Sequence, residues 1–221
     1  MATAAILPVK RFDQAKQRLG ETLGSATRAT LAAAMFADVL AQVARAEWLD
    51  EVIVVSGEPG VRKLAGEAGA TLVDDPADRG QSPAARAGLA RAAAGGFNGA
   101  LLVPGDCPLV DAAELDALIE SSADREVVIV PDRHGTGTNA LLMDPRGPFE
   151  PQFGPGSRER HEEQARRRGL AYAVTRVASL GLDLDTGEDL EQLVAALADV
   201  HGRAARTRGV LSQIGRARTA A

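Results

Sequence analysis

An α/β domain, Rossmann-like, with a mostly parallel sheet covered by helices on both faces, is the fold class this sequence predicts. Three observations carry the expectation. Five strand-like apolar runs are bounded by turn residues, and each of the first four is followed by a segment with helical spacing of apolar residues. The run from Ala100 to Val103 is apolar throughout, as a strand buried on both faces requires. At 221 residues with 45% apolar and 25% charged content, the chain is long enough to bury a full core.

In chain order, strands are expected at Ala4 to Val9 (AAILPV), Glu51 to Ser56 (EVIVVS), Ala70 to Asp74 (ATLVD), Ala100 to Val103 and Val127 to Pro131 (VVIVP). The first is followed by a helix from Thr27, where Leu31, Met35, Val39, Leu40 and Val43 recur on one face. Shorter helices fit Gly60 to Ala68, Ser82 to Ala94 and Asp111 to Ser121. After Pro131 the rhythm changes. A glycine-rich loop, DRHGTGT, leads to a short apolar segment, NALLM, then to the irregular stretch DPRGPFEPQFGPGS, a charged helix SRERHEEQARRRG and a strand AYAVTRV. Late insertions of this kind build one side of a ligand cleft. A final helix, Gly187 to Ala198, follows LDLDT. Residues 1–200 read as a single domain and residues 201–221 as a basic, mobile or surface-packed tail, with Arg203, Arg206, Arg208, Arg216 and Arg218 and no acid after Asp199.

Composition narrows the function. Lys and Arg number 25 and Asp and Glu 30, a net charge of −5, so nothing global draws the chain to nucleic acid or an anionic membrane. A polyanionic ligand must then be held by a local cluster of cations. Cys107 is the only cysteine, which excludes an internal disulfide, and His134, His161 and His201 lack zinc-type spacing. No apolar run approaches the ~18 residues of a membrane helix, and the N-terminus lacks the pattern of a signal peptide. The chain is read as cytoplasmic.

In open α/β sheets ligands bind beyond the carboxyl ends of the strands, so the residues there come first. After the first strand, PVKRFDQAKQRL places Lys10, Arg11 and Lys16, which could meet in the cleft if the loop doubles back. The pattern is not a P-loop, and no GxGxxG follows the strand. The third strand ends in DDPADRGQSP, where Asp74, Asp75, Arg79 and Gly80 could contact a base or a phosphate, or form a turn. The fourth ends in VPGDCPLV, and Asp106 is there either a helix cap or a ligand. Asp183 and Asp185 in GLDLDTGEDL favour the second. On an extended segment both face one side, and like charges brought together call for a cation. Three carboxylates suit Mg2+. GTGT, Gly135 to Thr138, and FGPGS, Phe153 to Ser157, offer backbone amides and hydroxyls for carboxylate or phosphate, with Ser157 able to cap the helix that follows. Together these residues point to phosphoryl or nucleotidyl transfer.

Five of these motifs in order, PVKRFDQAKQRL, VPGDCPLV, DRHGTGTNALL, QFGPGS and LDLDT, cover nearly the whole chain and resemble the guanylyltransferases of deazaflavin coenzyme biosynthesis. Those are the 2-phospho-L-lactate or phosphoenolpyruvate guanylyltransferases. The resemblance implies a nucleotide-diphospho-sugar transferase fold of the glycosyltransferase A kind. It also implies GTP as donor, a small phosphorylated three-carbon acid as acceptor, and a product passed to the next enzyme of the coenzyme's synthesis. It places Mg2+ on Asp106, Asp183 and Asp185, the acceptor on Thr138, Gly154 and Ser157, and the nucleotide on the loop from Lys10 to Lys16. The nucleotide set expected from residues and resemblance together is Pro8, Lys10, Arg11, Lys16, Asp75, Arg79 and Gly80, with Lys10, Lys16 and Asp106 catalytic. Where related enzymes carry a GLN-type segment near the base, this chain reads RGQSPAA around Gln81. Phosphoenolpyruvate is the favoured acceptor, with 2-phospho-L-lactate and 3-phosphoglycerate open. The rivals are a nucleotidyltransferase for a molybdopterin or sugar phosphate and a catalytically idle nucleotide-binding domain.

Overall fold

A computed structural model of the chain describes residues 2–12, 16–20, 23–75 and 77–219. The strands are β1 (Thr3–Pro8), β2 (Glu51–Ser56), β3 (Thr71–Asp74), β4 (Gly99–Leu102), β5 (Val127–Pro131), β6 (Thr138–Met143) and β7 (Tyr172–Val174). The helices are α1 (Ser25–Val43), α2 (Pro59–Glu67), α3 (Gln81–Ala94), α4 (Ala112–Glu120), α5 (Ser157–Arg168), α6 (Gly187–Asp199) and α7 (Ala205–Thr219). The strands form one sheet in the order β3-β2-β1-β4-β6-β5-β7. All neighbours run parallel except β6, which is antiparallel to both β4 and β5. The sheet is thus mostly parallel, as expected, but NALLM, read as a short apolar segment, belongs to a full strand in its interior, between β4 and β5.

Alternation along the strands divides the core. Ala5, Leu7, Val54, Leu101 and Val128 face α1, α2 and α4, meeting Phe36, Val39, Val61 and Leu115. Ala4, Ile6, Ile53, Leu102 and Ile129 face α3 and α5, meeting Ala85, Leu89 and Ala165. Successive strand residues point to opposite faces, so strands buried on both sides must be apolar at every position. The fit of α3 is close. A Cβ on Gly88 would stand 2.3 Å from Ile6 Cγ2.

Local chemistry fixes the helix ends. Asp111 caps α4 by accepting from the Ala113 amide at 2.9 Å, which removes the cap as a role for Asp106. Thr186 and Asp189 form a reciprocal capping box at the start of α6. That box also fixes the segment before it, because Asp189 accepts from the Asp185 amide at 3.0 Å.

Of the mobile or surface-packed tail expected beyond residue 200, the structure has the packed alternative, the helix α7. Asp38 of α1 accepts from the Arg206 and Thr207 amides at its start, at 3.2 and 2.7 Å. Arg208 donates to the carbonyls of Leu197 and Val200 at the end of α6, and Arg203 pairs with Asp111. Val210, Leu211 and Ile214 pack on a third apolar cluster with Leu31, Met35 and Leu193. Two of the arginines that suggested a tail are therefore spent on a helix end and a helix cap. Among the described residues no helix is long and apolar enough to cross a membrane.

Candidate active site

The carboxyl ends of β1 and β4 and the amino end of β6 open into a cleft of about 480 Å³. One end of it is charged. Val103 continues β4 by donating to Ile6 O at 2.9 Å, after which Pro104 and Gly105 turn the chain and present Asp106 at the cleft wall. The segment bearing Asp183 and Asp185 lies alongside, held by the Leu184 amide donating to Asp106 O at 3.3 Å. Leu184 is fully buried while both aspartates line the cleft, the alternation expected of an extended LDLD.

Lys16 reaches into this cluster. Its ammonium pairs closely with Asp106 and stands 3.1 Å from Asp185, with its side chain only 6% exposed. Burial alone would lower its pKa, but Asp106 and Asp185 outweigh that and hold it charged. Asp183 accepts from Asn139 Nδ2 at 3.2 Å. Burial first, then the charges of Asp106 and Asp185, push its carboxyl up to about 6. One ammonium among three acids leaves the cluster short of positive charge. Among the described residues no three acid, thiol or imidazole side chains are gathered closely enough to hold a metal ion; Lys16 engages two of these acids. The donor set itself is all carboxylate oxygen, which fits Mg2+, an ion that completes its shell with water and phosphate.

Another part of the wall carries the hydroxyls of Thr138 and Ser157 and two glycine loops, beside the carboxylate of Asp132. Asp132 accepts from the Thr136 and Gly137 amides at 3.0 and 2.9 Å, folding the GTGT loop back on itself. Thr138 begins β6 beside a register shift, where the pairing steps from Val130 with Ala140 to Pro131 with Thr138 and leaves Asn139 as an extra residue. Gly154 and Gly156 have φ of +116° and +68°, backbone that favours glycine. Arg160 braces their loop by donating to the carbonyls of Gln152, Gly154 and Pro155. The N-cap of α5 is Gly156, without a side-chain bond, and Ser157 is its first residue. Ser157 thus lines the cleft instead of capping the helix, as had been expected.

Residues 3–218 match the family described as guanylyl transferase CofC like. The chain belongs to this family. A phosphoenolpyruvate guanylyltransferase of Conexibacter woesei is 44% identical over 97% of both chains. A 2-phospho-L-lactate guanylyltransferase of Methanothermobacter thermautotrophicus is 33% identical, covering 97% of this chain and 92% of its own. A 3-phospho-D-glycerate guanylyltransferase of Phenylobacterium zucineum is 37% identical over 95% of both. In fold, the chain superposes on a solved structure from Desulfovibrio desulfuricans, described as a candidate nucleotide-diphospho-sugar transferase. The TM-score is 0.75 at 17% identity, covering 96% of this chain and 95% of the other. The chain is an enzyme of the nucleotidyltransferase class with the nucleotide-diphospho-sugar transferase fold.

Within this guanylyltransferase cleft stand Pro8, Lys10, Lys16, Asp75, Gly80, Asp106, Thr138, Gly154, Ser157, Asp183 and Asp185, so the expected metal, acceptor and nucleotide groups share one cavity. Arg11 and Arg79 are not on its wall. The Arg11 amide is engaged by Asp78 at 3.2 Å, and the left-handed turn at Gly80, φ +107°, leaves Arg79 exposed before α3. Gln81, first residue of α3, does line the cleft. Residues 13–15 of the lysine loop lie outside the described residues. His134 is exposed and away from the cleft wall.

Sequence reasoning missed two residues. Asn139 joins Asp183 to the Leu180 carbonyl, at 3.2 and 2.7 Å. His161 is fully buried behind Thr138. The signal for His161 was its spacing: Ser157, His161, Gln164 and Ala165 are the buried stripe of α5, at helical intervals in a segment otherwise charged.

Proposed function

We propose that the enzyme transfers the GMP portion of GTP to the phosphate of a small phosphorylated three-carbon acid, phosphoenolpyruvate before its relatives, as a step in deazaflavin coenzyme synthesis. The observation that carries this reading is the gathering in one cleft of Lys10, Lys16 and the carboxylates of Asp106, Asp183 and Asp185 with the hydroxyls of Thr138 and Ser157 and the Gly154 loop.

Joining GTP to such an acid brings together two polyanions. Unit charges ~4 Å apart repel by about 4 kcal/mol even at an effective dielectric near 20. Lys10 and Lys16 would offset the triphosphate charge. Mg2+ held by Asp106, Asp183 and Asp185 would supply charge neutralisation across the donor and acceptor phosphates. Thr138, Ser157 and the Gly154 loop would hold the acceptor, setting its phosphate oxygen in line with the α-phosphorus. That oxygen forms the new bond, the bond from the α-phosphorus to the bridging oxygen breaks, and pyrophosphate leaves. No general base is required, because a phosphate is already ionised near neutral pH.

Phosphoenolpyruvate is preferred because the Conexibacter relative, at 44% identity, is named for it. The test is incubation with GTP, Mg2+ and phosphoenolpyruvate, 2-phospho-L-lactate or 3-phosphoglycerate in turn, with mass detection of the guanylylated acid. Asp106→Asn, Asp183→Asn and Asp185→Asn are each expected to abolish Mg2+-dependent pyrophosphate release in a folded protein. Wild-type rates in all three would sink the assignment of these acids.

A further inference from the structure

We infer that His161, carrying its proton on Nδ1, is a positioning residue that aims the Thr138 hydroxyl proton into the cleft as a donor to an anionic oxygen of the acceptor. The role rests on the reading above, in which Thr138 meets the acceptor. The proton arrangement rests on geometry alone. His161 Nε2 lies 2.8 Å from the Gln152 amide nitrogen. A backbone N–H can only donate, so Nε2 presents its lone pair, and the ring's single proton is on Nδ1. Nδ1 is 2.9 Å from Thr138 Oγ1, so the ring donates and the hydroxyl accepts. The hydroxyl's own proton is then free to donate elsewhere. Thr138 makes no other side-chain hydrogen bond among the described residues, and it lines the cleft.

The surroundings hold this arrangement in place. Phe149 and Phe153 flank the imidazole with ring centroids at 5.6 and 5.8 Å, fixing its plane. Burial, and then the adjacent Arg160 guanidinium, push the ring's pKa down to about 4, which keeps Nε2 unprotonated at neutral pH. The same side chain therefore sets two walls of the acceptor site. Through Nδ1 it orients the hydroxyl on β6, and through Nε2 it holds the loop that carries Gly154. A hydroxyl obliged to donate suits a carboxylate or phosphate oxygen, which can only accept.

Two measurements decide this. In the wild-type protein near pH 7, long-range proton–nitrogen NMR of the imidazole is expected to show His161 protonated on Nδ1 only. A ring protonated on Nε2, or on both nitrogens, overturns the inference whatever the enzyme's substrate. In steady-state kinetics with phosphoenolpyruvate and GTP, His161→Asn places an amide donor where Nδ1 stood, and His161→Gln places an acceptor where Nε2 stood. The Gln variant is expected to raise KM for phosphoenolpyruvate about 10- to 100-fold. The Asn variant should recover most of that loss, and KM for GTP should be unchanged in both. Thr138→Val should match His161→Gln, and the double variant should add nothing further. A Gln variant equal to or better than the Asn variant means that holding the loop is the whole role, and overturns the assignment. If wild-type enzyme guanylylates none of the three acids, the functional reading fails, and the NMR result alone decides the direction of the Thr138 hydroxyl.

Discussion

Acidification from pH 7 to pH 5 should weaken the fold through His161, by an amount that follows from its burial. The folded-state pKa is pushed down to about 4, against about 6.5 in an unfolded chain. As pH falls through 6.5 the unfolded chain takes up a proton and the folded one does not. The stability is therefore complete above 6.5 and is lost between there and 4. The loss amounts to about 2 kcal/mol by pH 5 and about 3 kcal/mol once pH falls below 4. The groups facing the ring do not titrate in this window. Thr138, Phe149, Phe153 and the Gln152 amide are neutral groups, and the charge beside the ring is a guanidinium, which does not lose its proton in proteins. The assay is urea unfolding of wild type and His161→Phe at about pH 7, 6 and 5. Phe retains the contacts with Phe149 and Phe153 and cannot titrate. Carboxylate titration is common to both proteins and cancels in the difference. A stability difference that stays constant across the range would refute the claim that His161 is held neutral.

Two further outcomes follow from close approaches of backbone. Gly137→Ala would place a Cβ 2.5 Å from Asp132 Oδ2, the atom that accepts from the Gly137 amide. The loop must shift, at a cost of about 1–3 kcal/mol, and KM for the acceptor should rise while KM for GTP holds; thermal unfolding with steady-state kinetics checks both. Gly88→Ala would drive a Cβ to 2.3 Å from Ile6 Cγ2 and 3.1 Å from Val55 Cγ2 where α3 meets the sheet. Calorimetry should show a lower Tm corresponding to about 1–3 kcal/mol, and an unchanged Tm would mean that α3 sits further from β1 than the structure has it.

The alternation of strands and helices was legible because parallel strands buried on both faces must be apolar throughout, and that leaves a mark no loop imitates. LDLDT was legible for a related reason, since an extended segment with one buried face writes Leu and Asp in turn. The interior strand β6 was not, because nothing local in TNALLM says which neighbours it joins. Its partners, β4 and β5, are chosen by the sheet. His161 and Asn139 escaped because their roles are relations between elements. A histidine in SRERHEEQARRR looks like one more polar residue on a solvated helix until α5 is docked on the sheet and the ring meets Thr138. The arginines past residue 200 left mobile and packed alternatives open for the converse reason, because a charge count does not reveal which helix ends the side chains will reach.

The antiparallel setting of β6 explains why one cleft can hold two kinds of chemistry. Parallel strands all present their carboxyl ends to the cleft, so a sheet of parallel strands alone offers loops that leave strands, such as those bearing Lys10 and Asp106. Running the other way, β6 enters from that same edge and delivers its amino end, with Thr138 and Asn139 adjacent in sequence. The register shift at Asn139 re-aims these neighbours. Thr138 meets His161 on α5, while Asn139 turns to Asp183 and the Leu180 carbonyl. The hydroxyl proposed for the acceptor and the amide that steadies a carboxylate of the acid cluster are thus one peptide bond apart. Any displacement of this strand's first two residues must move the Thr138 hydroxyl and the Asn139 amide together, so a shift that re-aims the one also disturbs the hydrogen bond to Asp183.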